Sequence, residues 1–376
     1  MTLLAATSLL FAACGSDKAS TATTAATSSP GASTSSPAAT TTSSGGGGAT
    51  SGKIALLLPE SKTARYETQD RPIFEAAIKQ LCSGCSVLYS NADQDASKQQ
   101  SQAEAALTNG AQVLVVDPVD AKAAASIVSL AASKKVPVLS YDRLIKGAKV
   151  DLYVSFDNQQ VGVLQARALV DKLKKDGKTS GNIVMINGSP TDGNAAQFKA
   201  GAHSVLDTSG FTIAAESDTV EWSPDNAQKD MEGHITKLGK DAIIGVYAAN
   251  DGTAGGAIAA LKGSGVSPLP PVTGQDAEVA GLQRILADEQ YMTVYKAIKI
   301  EAATAAKGAV ELLGGTSPSG VTGNENNGTA DIPAVILTPK AITKDTVKDV
   351  VADGFWKASD LCTSAYAAAC KAAGIS

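Results

Sequence analysis

The chain has 376 residues, 44% of them hydrophobic, enough for two globular domains with sizeable cores once flexible parts are subtracted. Its 37 acidic against 32 basic residues give a formal charge of -5 without a long basic run, which removes the electrostatic basis for binding nucleic acid or an anionic membrane surface. Aromatics are 4% and Gly reaches 35 residues, a composition of short parallel strands and closely packed helices, so α/β is expected rather than a β-sandwich.

Residues 1–14 are an apolar run too short to span a bilayer and read as the h-region of a secretory signal. The run ends Leu10-Phe11-Ala12-Ala13-Cys14, which resembles a bacterial lipobox. The resemblance implies that Cys14 receives a diacylglyceryl group, so that the exported protein is lipid-anchored to the outer face of the cytoplasmic membrane. Residues 15–52 are almost entirely Ser, Thr, Ala, Gly and Pro. They cannot bury enough apolar area to offset their ordering entropy, and a disordered tether is expected.

From Lys53 a regular alternation begins. Strands are predicted at Ile54–Leu58, Ser86–Tyr89, Val113–Val116, Val136–Ser140 and Leu152–Phe156, with helices at Arg71–Leu81, about Ser97–Asn109 and Ala121–Ser133 between them. Beyond Asn158 the rhythm restarts. Helices at 161–175, 194–207, 224–238 and 253–263 alternate with strands at 183–186, 212–216, 242–247 and 272–274. A strand 292–295, an Ala-rich helix 297–313, the run Val335-Ile336-Leu337 and a helix near 343–353 follow. Such βαβ succession implies parallel pairing with right-handed crossovers, and two such layers read as two domains.

In open α/β sheets ligands sit beyond the carboxyl ends of the strands. The polar groups predicted there are Arg65, Asp142, Arg143, Asp157, Asn158, Asp192, Asn194, Trp222, Asn250, Asp251, Gln275, Asp276 and Lys296. A neutral polyol needs this inventory. Asp accepts from hydroxyls, Asn donates and accepts, Arg donates through a rigid fork, and an aromatic face covers the C–H side of a sugar ring. An enzyme is not expected: the chain has no Walker motif, no Gly-x-Gly-x-x-Gly after a strand, no Ser elbow and no usable His pair, since His203 and His234 lie far apart. An Arg beside Asp142 should also keep that carboxylate ionised and unfit as a general acid. Neither a cofactor nor a metal is expected. Asn91 to Ser97 alternates oxygen donors but lacks the turn Gly and closing Glu of a calcium loop, and reads as helix capping.

Tyr141-Asp142-Arg143, Val154-Ser155-Phe156-Asp157-Asn158, Gly188-Ser189-Pro190-Thr191-Asp192-Gly193-Asn194-Ala195, Asn250-Asp251-Gly252-Thr253, Gly274-Gln275-Asp276-Ala277 and Met292-Thr293-Val294-Tyr295-Lys296 resemble, in this order, the D-xylose-binding branch of the type I periplasmic sugar-binding proteins of ABC importers. The resemblance spans Lys53 to about Lys357. It implies two Rossmann-like lobes, each a parallel sheet flanked by helices, joined by a three-segment hinge with a monosaccharide, D-xylose first, between them. The first lobe would comprise 53–157 plus about 297–330 and the second 158–296 plus about 331–357, leaving 358–376 as a tail. Direct contacts would come from Arg65, Tyr66, Asp142 and Arg143 in the first lobe, from Asp192, Asn194, Trp222, Asn250 and Asp276 in the second, and from Lys296 at a crossing. Tyr66 stands where the resembled proteins carry Trp, and Arg65 to Arg71 is one residue longer than their loop. The implied partners are an ABC permease and its ATPase, the protein itself being a monomer. A receptor subunit presenting a glucose-, arabinose-, galactose- or ribose-type sugar to a membrane kinase or chemoreceptor is the alternative.

Other roles stay open for several residues. Asp157, Asn158 and Asp251 suit helix N-caps as well as a place behind the contacts, Gln275 suits that second place, Trp222 could be core and Lys296 a solvated charge. Cys82 with Cys85 and Cys362 with Cys370 form two local pairs, for which disulfides are expected in an exported protein.

Overall fold

The computed structural model describes residues 51–375, so Cys14, the apolar run and nearly all of the expected tether lie outside the described residues. In chain order the first elements are β1 (Ser51–Leu58), α1 (Arg71–Leu81), β2 (Gly84–Asn91), α2 (Ala96–Thr108), β3 (Val113–Val116), α3 (Ala125–Ser133), β4 (Val138–Tyr141) and β5 (Leu152–Phe156). Next come α4 (Asn158–Lys175), β6 (Asn182–Asn187), α5 (Gly193–Leu206), β7 (Thr212–Asp218), α6 (Pro224–Leu238), β8 (Ile243–Ala248), α7 (Asp251–Gly263), α8 (Val279–Leu286) and β9 (Met292–Tyr295). The chain closes with α9 (Ile298–Leu313), β10 (Gly323–Asn326), β11 (Asp331–Leu337), β12 (Lys340–Thr343), α10 (Val347–Ala352), α11 (Ala358–Leu361) and α12 (Ala367–Ala372).

Two sheets organise these elements. The first has the order β10-β11-β5-β4-β3-β1-β2, parallel except for β10. Ile54, Leu56 and Leu58 pack on one face against Phe74, Ile78 and the Ala stripe of α9, and Ala55 and Leu57 pack on the other against α2 and α3. Continuous apolar strands covered on both faces are what a parallel sheet requires. The second sheet is β7-β6-β8, likewise covered on both faces. It continues through Pro271–Asp276, which bonds to β8 on one side and β9 on the other (Val246 N to Pro271 O 2.9 Å, Val294 N to Gly274 O 3.0 Å), and β9 pairs antiparallel with β12. The strand expected at 272–274 is this ribbon, reduced to isolated bridges because the two prolines before it donate no N–H.

The expected boundaries shift in three places. β11 pairs with β5 in the first sheet (Val335 opposite Val154), so residues 331–337 belong to the first lobe, and the third crossing lies at Thr338–Pro339. The end of the expected tether, Ser51 and Gly52, is already strand, paired with Gly84 and Cys85 through backbone bonds that need no apolar side chains. Residues 358–375 are not a loose tail, since Leu361, Cys370 and Ile375 are buried in a core with Leu282, Ile285 and Ile342 of the second lobe. Both cysteine pairs are joined, Cys82 to Cys85 and Cys362 to Cys370.

Within the second lobe α4 and α5 touch through glycines: a Cβ on Gly201 would stand 2.0 Å from Gln159 O, and one on Gly162 1.9 Å from Phe198 O. Phe198 of α5, whose carbonyl meets Gly162, also faces the cleft.

Candidate functional site

The first lobe supplies two guanidinium groups, a phenol and a carboxylate held by deeper groups. Arg65 precedes a π-helical turn, Tyr66–Asp70, which runs directly into α1; such a turn takes up one residue more than an α turn. Its Nε and Nη2 donate to Asp70 (2.9 and 2.7 Å), and Nη2 also donates to Glu301 of α9 (2.7 Å). The fork thus leaves Nη1 facing Asp142 Oδ2 at 3.5 Å and Asp276 Oδ1 at 3.8 Å. Asp142, just past β4, has its backbone carbonyl fixed by Tyr153 Oη, Ser155 Oγ and, from the second lobe, Asn194 Nδ2. Tyr66 Oη donates to Asp142 (3.1 Å) and accepts from Arg143 Nη2 (3.0 Å).

In the second lobe Asp192 is the N-cap of α5, its Oδ1 accepting from Asn194 N at 2.8 Å. Its Oδ2 accepts from Trp222 Nε1 at 3.1 Å and lies 3.0 Å from Arg143 Nε across the cleft. Trp222 packs edge-on against Phe198, 6.4 Å between centroids, and against the bare backbone of Gly188. Asn250 caps α7 through Thr253 N. Lys296 Nζ sits 3.2 Å from Asp276 and 3.8 Å from Asp142, between the rings of Phe156 and Phe198.

These side chains line one small polar cavity. Every residue expected as a direct contact lines it: Arg65, Tyr66, Asp142, Arg143, Asp192, Asn194, Trp222, Asn250, Asp276 and Lys296. Gln275, expected one layer behind, also lines it. The other three of that group do not line it. Asp157 is exposed and caps α4 through Gln160 N, Asn158 holds Ser155, and Asp251 is buried under Glu278 N, Thr293 and Gln290. Asp95 caps α2, as expected of the Asn91–Ser97 segment.

Phe198 and Thr63 line the cavity without having been singled out, and Asp70, Glu301, Asp117 and Glu60 brace its arginines. A sequence signal existed for two of these. Phe198 is one turn beyond Asn194 on the same helix, and Glu301 is a lone charge on the Ala-rich face of α9.

The electrostatics separate these carboxylates. Burial pushes Asp142 up, but Arg65, Lys296 and Arg143 outweigh it and hold its carboxyl at about 2, so it is an acceptor only at neutral pH. Burial raises Asp192 against the pull of Arg143, and drives Asp117 and Glu301 well above the usual carboxylate range. Lys296, which burial would lower, is raised because Asp276 and Asp142 stabilise its charge. Arg65 Nη1, Gln275 Oε1 and Asp276 Oδ1 are buried without a hydrogen-bond partner, two acceptors and one donor aimed at the same small space. Asp142, Trp222 and Asp276 all adopt positive φ (52°, 55° and 90°), which costs about 1–2 kcal/mol per residue, a strain concentrated where the side chains converge.

The periplasmic binding protein domain family matches residues 54–317. The D-xylose-binding periplasmic protein of Escherichia coli (strain K12) is 40% identical over 314 residues, covering 82% of this chain and 92% of that protein. The chain belongs to the type I periplasmic sugar-binding proteins. The multiple sugar-binding periplasmic receptor ChvE of Rhizobium radiobacter is 33% identical, covering 83% and 93%. A solved carbohydrate transporter solute-binding protein from Chloroflexus aurantiacus, in complex with D-glucose, superposes with a TM-score of 0.74 at 30% identity, covering 82% of this chain and 97% of that one. In this periplasmic sugar-binding protein the strand-end groups of both lobes therefore converge on one cavity, and what they can do chemically is hold hydroxyls.

Proposed function

We propose that the protein binds one monosaccharide, D-xylose first, between its two lobes and delivers it to an ABC permease with its ATPase. The observation that carries this reading is the cavity itself. Its lining alternates carboxylates, amides and cations around three aromatic rings, Tyr66, Phe198 and Trp222, the set of donors, acceptors and apolar faces that a single polyol ring needs. The 40% identity to the D-xylose-binding relative supports the choice of sugar. Mechanistically, a sugar touching Asp142 and Arg143 from one side and Asn250 and Asp276 from the other has its full set of bonds only when the lobes are together. Its differential affinity draws the hinge shut. The permease then reads the closed surface.

Export and lipid anchoring through Cys14, with the body monomeric on the outer face of the membrane, complete the proposal. Cys14→Ala should release the protein from the membrane fraction. Isothermal titration with D-xylose, D-glucose, L-arabinose, D-ribose and D-galactose tests the ligand: tight one-to-one binding of D-xylose is expected, and absence of binding to all five would overturn the reading. The 33% identity to a sugar-binding receptor favours a second reading, presentation of the loaded form to a membrane sensor, which co-purification with a kinase rather than a permease would reveal.

A further inference from the structure

The end of the chain, beyond the stretch that the family match covers, reaches the binding site from behind. Trp356 Nε1 donates to Ala277 O at 2.8 Å. Ala277 adjoins the ligand-facing Asp276, and both hold positive φ, 50° and 90°, a conformation that neither side chain favours by itself. Their amides are fixed as well: Asp276 N bonds Val294 O, Ala277 N bonds Thr293 Oγ1 and Glu278 N bonds Asp251 Oδ2. Phe355 packs on Tyr295 with centroids 5.1 Å apart, and Tyr295 immediately precedes Lys296. The two ligand-facing charges Asp276 and Lys296 are thus each one residue from a group that the carboxyl-terminal segment grips.

That segment is itself stapled. The Cys362–Cys370 disulfide joins the end of α11 to α12, and Leu361 O accepts from Gln283 Nε2 of α8 at 3.1 Å. Trp356 and Phe355 also form one wall of an apolar groove whose other wall is Ala64 and Thr68 of the first lobe, while Glu278 Oε1 accepts from Ala64 N across the same seam. The aromatic pair therefore stands where the lobes meet.

We propose that the disulfide-closed segment from Phe355 to Cys370 is a positioning element of the binding site, with Trp356 as the positioning residue that holds Asp276 in its strained, ligand-facing turn. The inference rests on the sugar-binding reading for its effect on affinity, but not for its effect on the turn. Trp356→Phe keeps the apolar wall and removes the one donor. Cys362→Ala with Cys370→Ala loosens the staple, and Cys82→Ala with Cys85→Ala serves as a control at the far side of the first lobe.

The test is hydrogen exchange of the peptide covering residues 275–279, read beside sugar titration on the same full-length preparations. Both carboxyl-terminal variants should exchange faster in that peptide while the β1 peptide keeps its wild-type rate, and should bind sugar about 3- to 10-fold more weakly, the range expected for losing one hydrogen bond. The control should match the wild type in both readouts. Unchanged exchange at 275–279 in both variants, or equal changes in the control, would overturn the proposal. Should Trp356→Phe not fold, the cysteine variant decides alone. If the wild type binds none of the five sugars, the ligand reading fails, while the exchange comparison still decides the role of the segment.

Discussion

Arg143 of the first lobe and Asp192 of the second approach to 3.0 Å across the cleft with both side chains almost fully buried. The same guanidinium also lies 3.4 Å from Asp117 and 3.9 Å from Glu60, so three buried carboxyl groups face one cation. Removing it leaves buried charge uncompensated, which typically costs about 3–5 kcal/mol. Arg143→Ala should therefore lower folding stability by that order as well as abolish tight sugar binding. Chemical denaturation without sugar checks this, and a wild-type midpoint would contradict it.

Asp276→Ala should behave differently. Its neighbours keep other partners, Arg65 through Asp70 and Glu301, and Lys296 through Asp142. The fold should survive with a near-native midpoint, while loss of an acceptor shared with two cations weakens sugar binding by about 2–3 kcal/mol, roughly 30- to 150-fold. Titration calorimetry beside a melting curve separates the two effects; loss of both together would place Asp276 in the core rather than at the ligand.

Gly188→Ala tests the aromatic wall. A Cβ there would stand 2.0–2.6 Å from three carbons of the Trp222 ring, which has no flexible end to give way. The ring must tilt out, breaking its bond to Asp192, and sugar affinity should fall at least tenfold while tryptophan fluorescence shifts toward a more exposed environment. Wild-type affinity would show that Trp222 packs without contacting the ligand.

Much of this site was legible because a doubly wound sheet places its ligand groups by rule. Asp142 and Asn250 come one and two residues after apolar strands and Asp192 caps the helix that follows one, and such positions point into the crevice. What supports them was not legible. Glu301 reaches Arg65 from 236 residues away, and Asp117 meets Arg143 only because β3 and β4 are neighbours. At β11 the lobe boundary differs from the expected one, since the alternation of Ile332, Ala334 and Ile336 suits either sheet and only the pairing with β5 decides. The carboxyl-terminal helices are too short to carry a periodic signal, and the core that Leu361, Cys370 and Ile375 share with α8 is built from residues far apart in the chain.

The last prediction concerns pH. Burial pushes Asp251 to about 7 and Glu278 to about 8, with Arg284 opposing at Asp251 and the charges of Asp251 and Asp276 adding at Glu278. In the unfolded chain both carboxyls titrate near pH 4, so between about pH 4 and pH 8 the native state binds more protons than the unfolded one. Stability then falls as pH rises through this window. Asp117, Asp192 and Glu301, also raised by burial, act in the same direction, whereas Asp142, held at about 2, is ionised in both states above pH 5 and contributes no slope. Denaturation at pH 5, 6, 7 and 8 without sugar should show a loss of about 2 kcal/mol or more toward the alkaline end. Glu278→Gln removes one of these groups while keeping an acceptor for Ala64 N, and should flatten the profile in part. A stability that rises from pH 5 to pH 8 would mean that these carboxyls are ionised in the folded protein and that their surroundings are wetter than the packing around Asp251 allows.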